Sequence, residues 1–415
     1  MTHSMRRAPK KKIQKLAGDA LRIANLSLAV SQAGSRLEDN DWQSLLDALI
    51  AKNLEVKHQS ILDAAAEHVF TNQPDAYEVL IEAIESIATS GQIKDGDSSY
   101  DILLVAAPIL AWSRFDIASG NIPAAILKSL TTSWRESLLC KGVQVCILPT
   151  LYSIDQLPQD HCTINDLLHD TAQHFLQNKA ILAPKELPKT VPFLADSRYL
   201  LGVVLAPSNA PLFQWQMTPS PFDIAKAKEA ALLLWKQRAH ADIAHLLPGC
   251  GFEFLLPESY YSACREADIL VRPISIRATV FYLCQTLNVE ASELSAILGR
   301  FGPETHPGQV DEIRVGFTLK KAPEIIYGVI WPLYQQEDEV NALVGPSIST
   351  MDEREGEIPT LLKESGISQI QILEDIFGME FCEDCQAPLY ADAEGDLVHP
   401  EMPDDAPPEG SVHLH

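Results

Sequence analysis

One stretch constrains this chain more than any other: Tyr100-Asp-Ile-Leu-Leu-Val-Ala-Ala-Pro-Ile-Leu-Ala-Trp112, an almost unbroken apolar run. Between Ile102 and Trp112 no position is polar, so the run has no wet face. A half-buried strand alternates apolar and polar residues; a strand covered on both faces does not. The run is too short to cross a bilayer as a helix, which needs about 20 apolar residues. It therefore predicts a central strand between two packed layers, and a mixed α/β chain around it.

The flanking segments supply those layers. Residues 13–92 carry helical spacing in four pieces. Ile13, Leu16, Ala20, Ile23 and Ala24 mark the first, Asp41 can cap the second, the third runs near Ile61–Phe70, and Asp75 can cap the fourth. The acidic Ile93-Lys-Asp-Gly-Asp-Ser-Ser-Tyr-Asp101 reads as a linker rather than a calcium loop, because it lacks the glycine and distal glutamate such a loop needs. After the central strand come a helix near Pro123–Leu139, a strand over Val143–Tyr152, a helix near Ile164–Gln177 and a hairpin over Tyr199–Gln216. A related order is expected again in the second half: a long helix over Pro221–Leu247, a strand at Cys250–Pro257, helices over Ser275–Leu287 and Ser292–Phe301, and a hairpin over Asp311–Tyr334. A short helix near Ile367–Phe377 leads into the tail. The reading is a basic arm (1–12), a helical module (13–92), two similar α/β lobes with mixed sheets (98–218 and 219–345), and an acidic tail with a zinc-knuckle-like element (346–415).

Charge and cysteine usage narrow the function classes. The 415-residue chain carries a formal net charge of −24, and from residue 351 onward 17 acidic side chains face only two basic ones, Arg354 and Lys363. Such a surface repels nucleic acid. The only dense basic run is Arg6-Arg-Ala-Pro-Lys-Lys-Lys12, read as a solvated arm. Eight cysteines in a chain of this length do not make a disulfide scaffold, and the expected compartment is the reducing cytoplasm. Phosphate-loop, dinucleotide-binding, zinc-protease and nucleophile-elbow motifs are all missing.

Two candidate sites remain. In Phe381-Cys-Glu-Asp-Cys-Gln-Ala-Pro-Leu-Tyr390, the C-x-x-C spacing lets two thiolates face one metal ion. A hairpin through Glu394-Gly395 would return His399 to them, and His413 or His415 would complete a structural zinc site. An unmetallated turn or a redox pair are the alternatives, although Glu383 and Asp384 should raise a neighbouring thiol pKa. The second candidate is a set of arginines, Arg114, Arg198, Arg265, Arg272, Arg277, Arg300 and Arg314, with His306 in a Gly/Pro-rich loop. Guanidinium forks suit carboxylate or phosphate. Pairing with Glu253, Glu258, Glu266, Asp268 and Glu293 is the structural alternative.

Several strings together, Trp112-Ser-Arg-Phe115, Ser197-Arg-Tyr-Leu-Leu-Gly202, the stretch Gly249–Asp268, Tyr327-Gly-Val-Ile-Trp-Pro-Leu333 and the tail from Cys382 through His399-Pro-Glu-Met-Pro403, resemble a bacterial family classed only as a domain of unknown function. The resemblance spans nearly the whole chain from about residue 10. It implies a soluble cytosolic protein and carries no catalytic residues; only Cys382, Cys385 and His399 fall on a motif that invites a metal. The function expected is a non-enzymatic binding or regulatory protein with a protein partner or a second copy of itself. The alternative is an enzyme acting on a phosphorylated or carboxylated small molecule, with His306 or Glu258 as acid/base.

Overall fold

The structure is a computed structural model that describes residues 16–190, 193–303, 308–334, 342–343, 356–385 and 387–403. The long apolar run is the middle of β2 (Ser98–Trp112), which pairs antiparallel with β5 (Ala195–Pro207) along its length. β4 (Gln144–Ser153) and then β3 (Gly120–Asn121) extend the sheet beyond β5. Along its other edge β2 meets three short partners in turn: β1 (Ser90–Asp95), β7 (Glu258–Ser259) and β6 (Gly251–Phe254). Every pairing in this seven-stranded sheet is antiparallel.

Its two-sided burial explains the missing wet face. Leu104, Ala106 and Leu110 of β2 point into one apolar cluster, whereas Val105, Ala107, Ile109 and Ala111 point into another. The first cluster is roofed by α1 (Gly18–Ser31), α2 (Arg36–Glu55), α3 (Gln59–Asn72), α4 (Pro74–Thr89) and α6 (His161–Leu176). The second is roofed by α5 (Ala124–Ser137) and α7 (Ile224–Leu246), where Trp134 and Trp235 meet edge to face. Local signals set several helix starts. Ser35 accepts the Glu38 N–H, Asp160 accepts the Thr163 N–H, and Pro74 occupies the first turn of α4.

α8 (Tyr260–Leu287) links this layered body to a second sheet. Ala263 and Ala267 pack in the first cluster, while Ile276, Val280 and Leu283 pack in a third. Pro273 sits between the two halves and cannot donate to the Ile269 carbonyl. Arg272 Nε takes that carbonyl instead, at 3.2 Å. The second sheet has the order β10 (Ala322–Pro332), β9 (Glu312–Leu319), β8 (Leu294–Gly302), β11 (Gln369–Gly378). It is mixed, with β11 parallel to β8. One face is covered by α8 and α9 (Glu357–Glu364), the other by the tail hairpin β12 (Tyr390–Ala391) and β13 (Leu397–Val398).

The mixed α/β class expected from sequence is the one observed. Several local readings are corrected. The segment read as a linker at Ile93–Asp101 is the tip of the β1–β2 hairpin. The expected second strand after β5 is a loop and a 3₁₀ turn at Gln214–Met217. The strand at Cys250–Pro257 joins the first sheet rather than the second. Ser292–Phe301 and Ile367–Phe377 are not helices but belong to β8 and β11. β8 is buried on both faces, and a short apolar run carries no period that separates strand from helix.

Candidate functional site

The tail places its candidate metal ligands by two turns. Cys382 N–H donates to Ala387 O at 2.7 Å and Leu389 N–H to Glu380 O at 3.1 Å, closing the C-x-x-C segment into a knuckle. At the hairpin tip Asp392 Oδ1 accepts the N–H groups of Glu394 and Asp396, and Gly395 takes the left-handed φ of 89° that the turn requires. The second strand then runs back, and Glu401 N–H ties it to Ile325 O of β10 at 3.0 Å. The result brings one ligand atom each from Cys382, Cys385 and His399 within 4.8 Å of one another, with Cys385 Sγ 3.1 Å from His399 Nε2. Bonds of about 2.3 Å to sulfur and about 2.0 Å to nitrogen, at tetrahedral angles, put such donors roughly 3.5–4 Å apart. The cluster can hold a metal ion. His413 and His415, the expected fourth ligands, lie outside the described residues.

The electrostatics of the knuckle differ from the expectation. Backbone N–H groups of Cys385 and Asp384 directed at the Cys382 sulfur lower its pKa, and they outweigh the Asp384 charge that would raise it. The turn, not the acidic neighbours, governs this thiol. His399 Nδ1 lies 3.9 Å from a Glu401 carboxylate oxygen. This places a carboxylate on the side away from the cysteines, where ligating histidines commonly find an orienting acceptor.

The structure distributes the seven arginines. Arg198, almost fully buried on β5, pairs with Asp196 and donates to Ile117 O (2.6 Å) and Ala118 O (2.9 Å). Arg272 donates to Pro332 O at 2.7 Å and lies over the Trp331 ring, joining the middle of α8 to the end of β10. Arg314 pairs with Glu312 at 2.6 Å, lies 4.2 Å from the Phe301 ring centre, and donates to the carbonyls of Glu380 and Leu389. It therefore clamps both ends of the cysteine knuckle to β9. Arg265 pairs with Glu85 of α4 at 2.7 Å, and Arg300 donates to Glu374 O at 3.1 Å. His306 lies outside the described residues. Glu258 pairs with Lys228. Only Arg114 and Arg277 come together, on the wall of a cleft of about 900 Å³ between the end of β2 and the second half of α8.

A tail so acidic should lack a core of its own, yet part of it is firmly packed. Tyr390 and Ala391 are only 4% exposed. The ring of Tyr390 lies flat on Gly328 of β10, where a Cβ would sit 2.0 Å from the ring. This docking floor was not legible beforehand, since neither a glycine in a strand nor a tyrosine in a tail announces its partner.

Fold and site thus define an α/β protein with a three-layer body, a second mixed sheet and a Cys-Cys-His cluster docked on it. The chain belongs to the family described as "Protein of unknown function (DUF2863)", whose profile matches residues 8–413. No curated protein and no solved structure matches it. Among the described residues, no helix is long and apolar enough to cross a membrane.

Proposed function

We propose that this is a cytoplasmic binding or regulatory protein whose C-terminal segment is fixed by a structural zinc ion. The observation that carries the reading is the convergence of Cys382, Cys385 and His399 on a segment that also docks through Tyr390 and Arg314. Two thiolates and an imidazole are a zinc donor set, and a fourth ligand from His413 or His415 would close the site and make it structural. Three arginines that could have met a substrate, Arg198, Arg272 and Arg314, instead hold carbonyl oxygens within the fold. That supports a scaffold presenting surfaces to a protein partner or a second copy of itself. The test is hydrogen exchange of residues 381–403 with and without chelation. Zinc-held structure predicts a loss of protection confined to that segment; unchanged protection would contradict it.

A second reading, an enzyme acting on a phosphorylated or carboxylated small molecule, is favoured by one observation, the meeting of Arg114 and Arg277 at a cleft of ligand size.

A further inference from the structure

We infer that the cleft between β2 and α8 binds a small organic anion with a flat apolar body. The inference rests on the cleft of the second reading but not on turnover. Its apolar walls come from two directions. On α8, Ile274, Ala278, Phe281 and Tyr282 recur at the three- and four-residue spacing that puts them on one helix face. Opposite them, Trp112 closes the end of β2 and Phe115 follows it. Phe115 and Phe281 are 62% and 67% exposed and line the same cleft, so together they form one apolar patch rather than scattered surface residues.

The Trp112 platform is built rather than incidental. Its indole lies against Gly251 of β6, where any Cβ would come within 2.4 Å of the ring. Gly251 pairs directly with Trp112 in the sheet, so only glycine lets the indole lie across the neighbouring strand. The loop beyond is set by Ser113. Its backbone N–H donates to Leu194 O, and its Oγ accepts the Phe115 N–H at 3.0 Å. That turn presents Arg114, whose guanidinium lies 5.0 Å from the Phe115 ring centre and has no carboxylate partner among the described residues.

Charge completes the match. Among the described residues Arg277 pairs only with Glu364, at 3.6 Å and at an exposed position, a contact that water screens. Among the described lining residues the one acidic side chain, Glu253, faces Lys236 at 3.6 Å. In a chain with a net charge of −24, two cationic forks beside exposed aromatic faces select an anion with an aromatic body over a bare anion or a neutral aromatic. The volume suits a ligand of small-molecule size rather than a peptide strand.

Calorimetric titration of the full chain with 2-naphthoate, 2-naphthyl phosphate and the uncharged 2-naphthamide tests this. The expected result is one saturable site for at least one of the two anions, with the amide weaker by about tenfold, the worth of one charge-assisted hydrogen bond. Which anion binds more tightly separates carboxylate from phosphate recognition. Arg114→Gln and Arg277→Gln, both at exposed positions, should each weaken the anion by about tenfold and leave the amide unchanged. Phe281→Ser should weaken all three. No saturable binding, equal affinity for the amide, or full affinity in the Arg114→Gln/Arg277→Gln double variant would overturn the inference. Saturable binding of the anion upholds the inference whether or not the chain turns over a substrate, and neither result bears on the Cys-Cys-His cluster.

Discussion

Replacing Gly328 with alanine should loosen the C-terminal segment without disturbing the sheet beneath it. Gly328 lies in the middle of β10, paired with Gly316 of β9, and its φ is not in the left-handed region. An alanine with room around it would stabilise such a strand position by about 0.5–1 kcal/mol relative to glycine. Here the new methyl would sit 2.0 Å from Cζ and 2.4 Å from both Cε atoms of Tyr390. Ordinary carbon contacts begin near 3.5 Å, so the ring must retreat by about 1.5 Å or leave its seat. Overpacking costs about 1–3 kcal/mol, and full loss of a buried aromatic about 2–3 kcal/mol. The net change is therefore about 2 kcal/mol of destabilisation, and it falls on the docking of residues 387–401 rather than on global unfolding. Hydrogen exchange resolved by segment reads this directly: amides of β12 and β13 should lose about thirtyfold protection, while β5 amides keep theirs. Unchanged tail protection, or a stabilised protein, would refute the claim that the tail is seated on this glycine.

Three further outcomes follow from the same packing. Arg314→Met strands buried Glu312 and two carbonyls, so it should cost about 3–5 kcal/mol in urea unfolding, and adding Glu312→Gln should recover part of the loss. Burial pushes the Asp268 carboxyl up to about 6, against opposing hydrogen bonds from Tyr334 and Tyr199. With a folded pKa above the unfolded value of 3.8, its contribution is fully present below about pH 4 and is lost as pH rises through 6, an effect of about 3 kcal/mol. Asp268→Asn should therefore raise the melting temperature at pH 8 and change it little at pH 4; an equal shift at both would contradict the assignment. Cys382→Ser should abolish metal retention but leave the seven-stranded sheet intact by circular dichroism, because the ends of the knuckle are held by Arg314 of the second sheet.

What the sequence revealed, and what it hid, divides along physical lines. The two-faced β2, the four N-terminal helices and the returning hairpin that carries His399 were readable, because apolar period and turn chemistry are local. β8 and β11 read as helices from sequence because burial on both faces erases period in the first, and tertiary pairing overrides local preference in the second. The arginines misled in an instructive way. Residue type shows that a fork can bind an anion, but not that Arg314 meets two carbonyls of its own tail more than 60 residues away. Gly251 and Gly328 were equally silent, since each matters only through the ring laid on it.

Metal analysis of the full chain, purified without added metal, bears most directly on the role assigned to Cys382, Cys385 and His399. Close to one zinc ion per chain is expected, bound through sulfur and imidazole nitrogen by X-ray absorption and lost in Cys382→Ser. Less than about 0.2 zinc per chain, or zinc coordinated by oxygen alone, would contradict it.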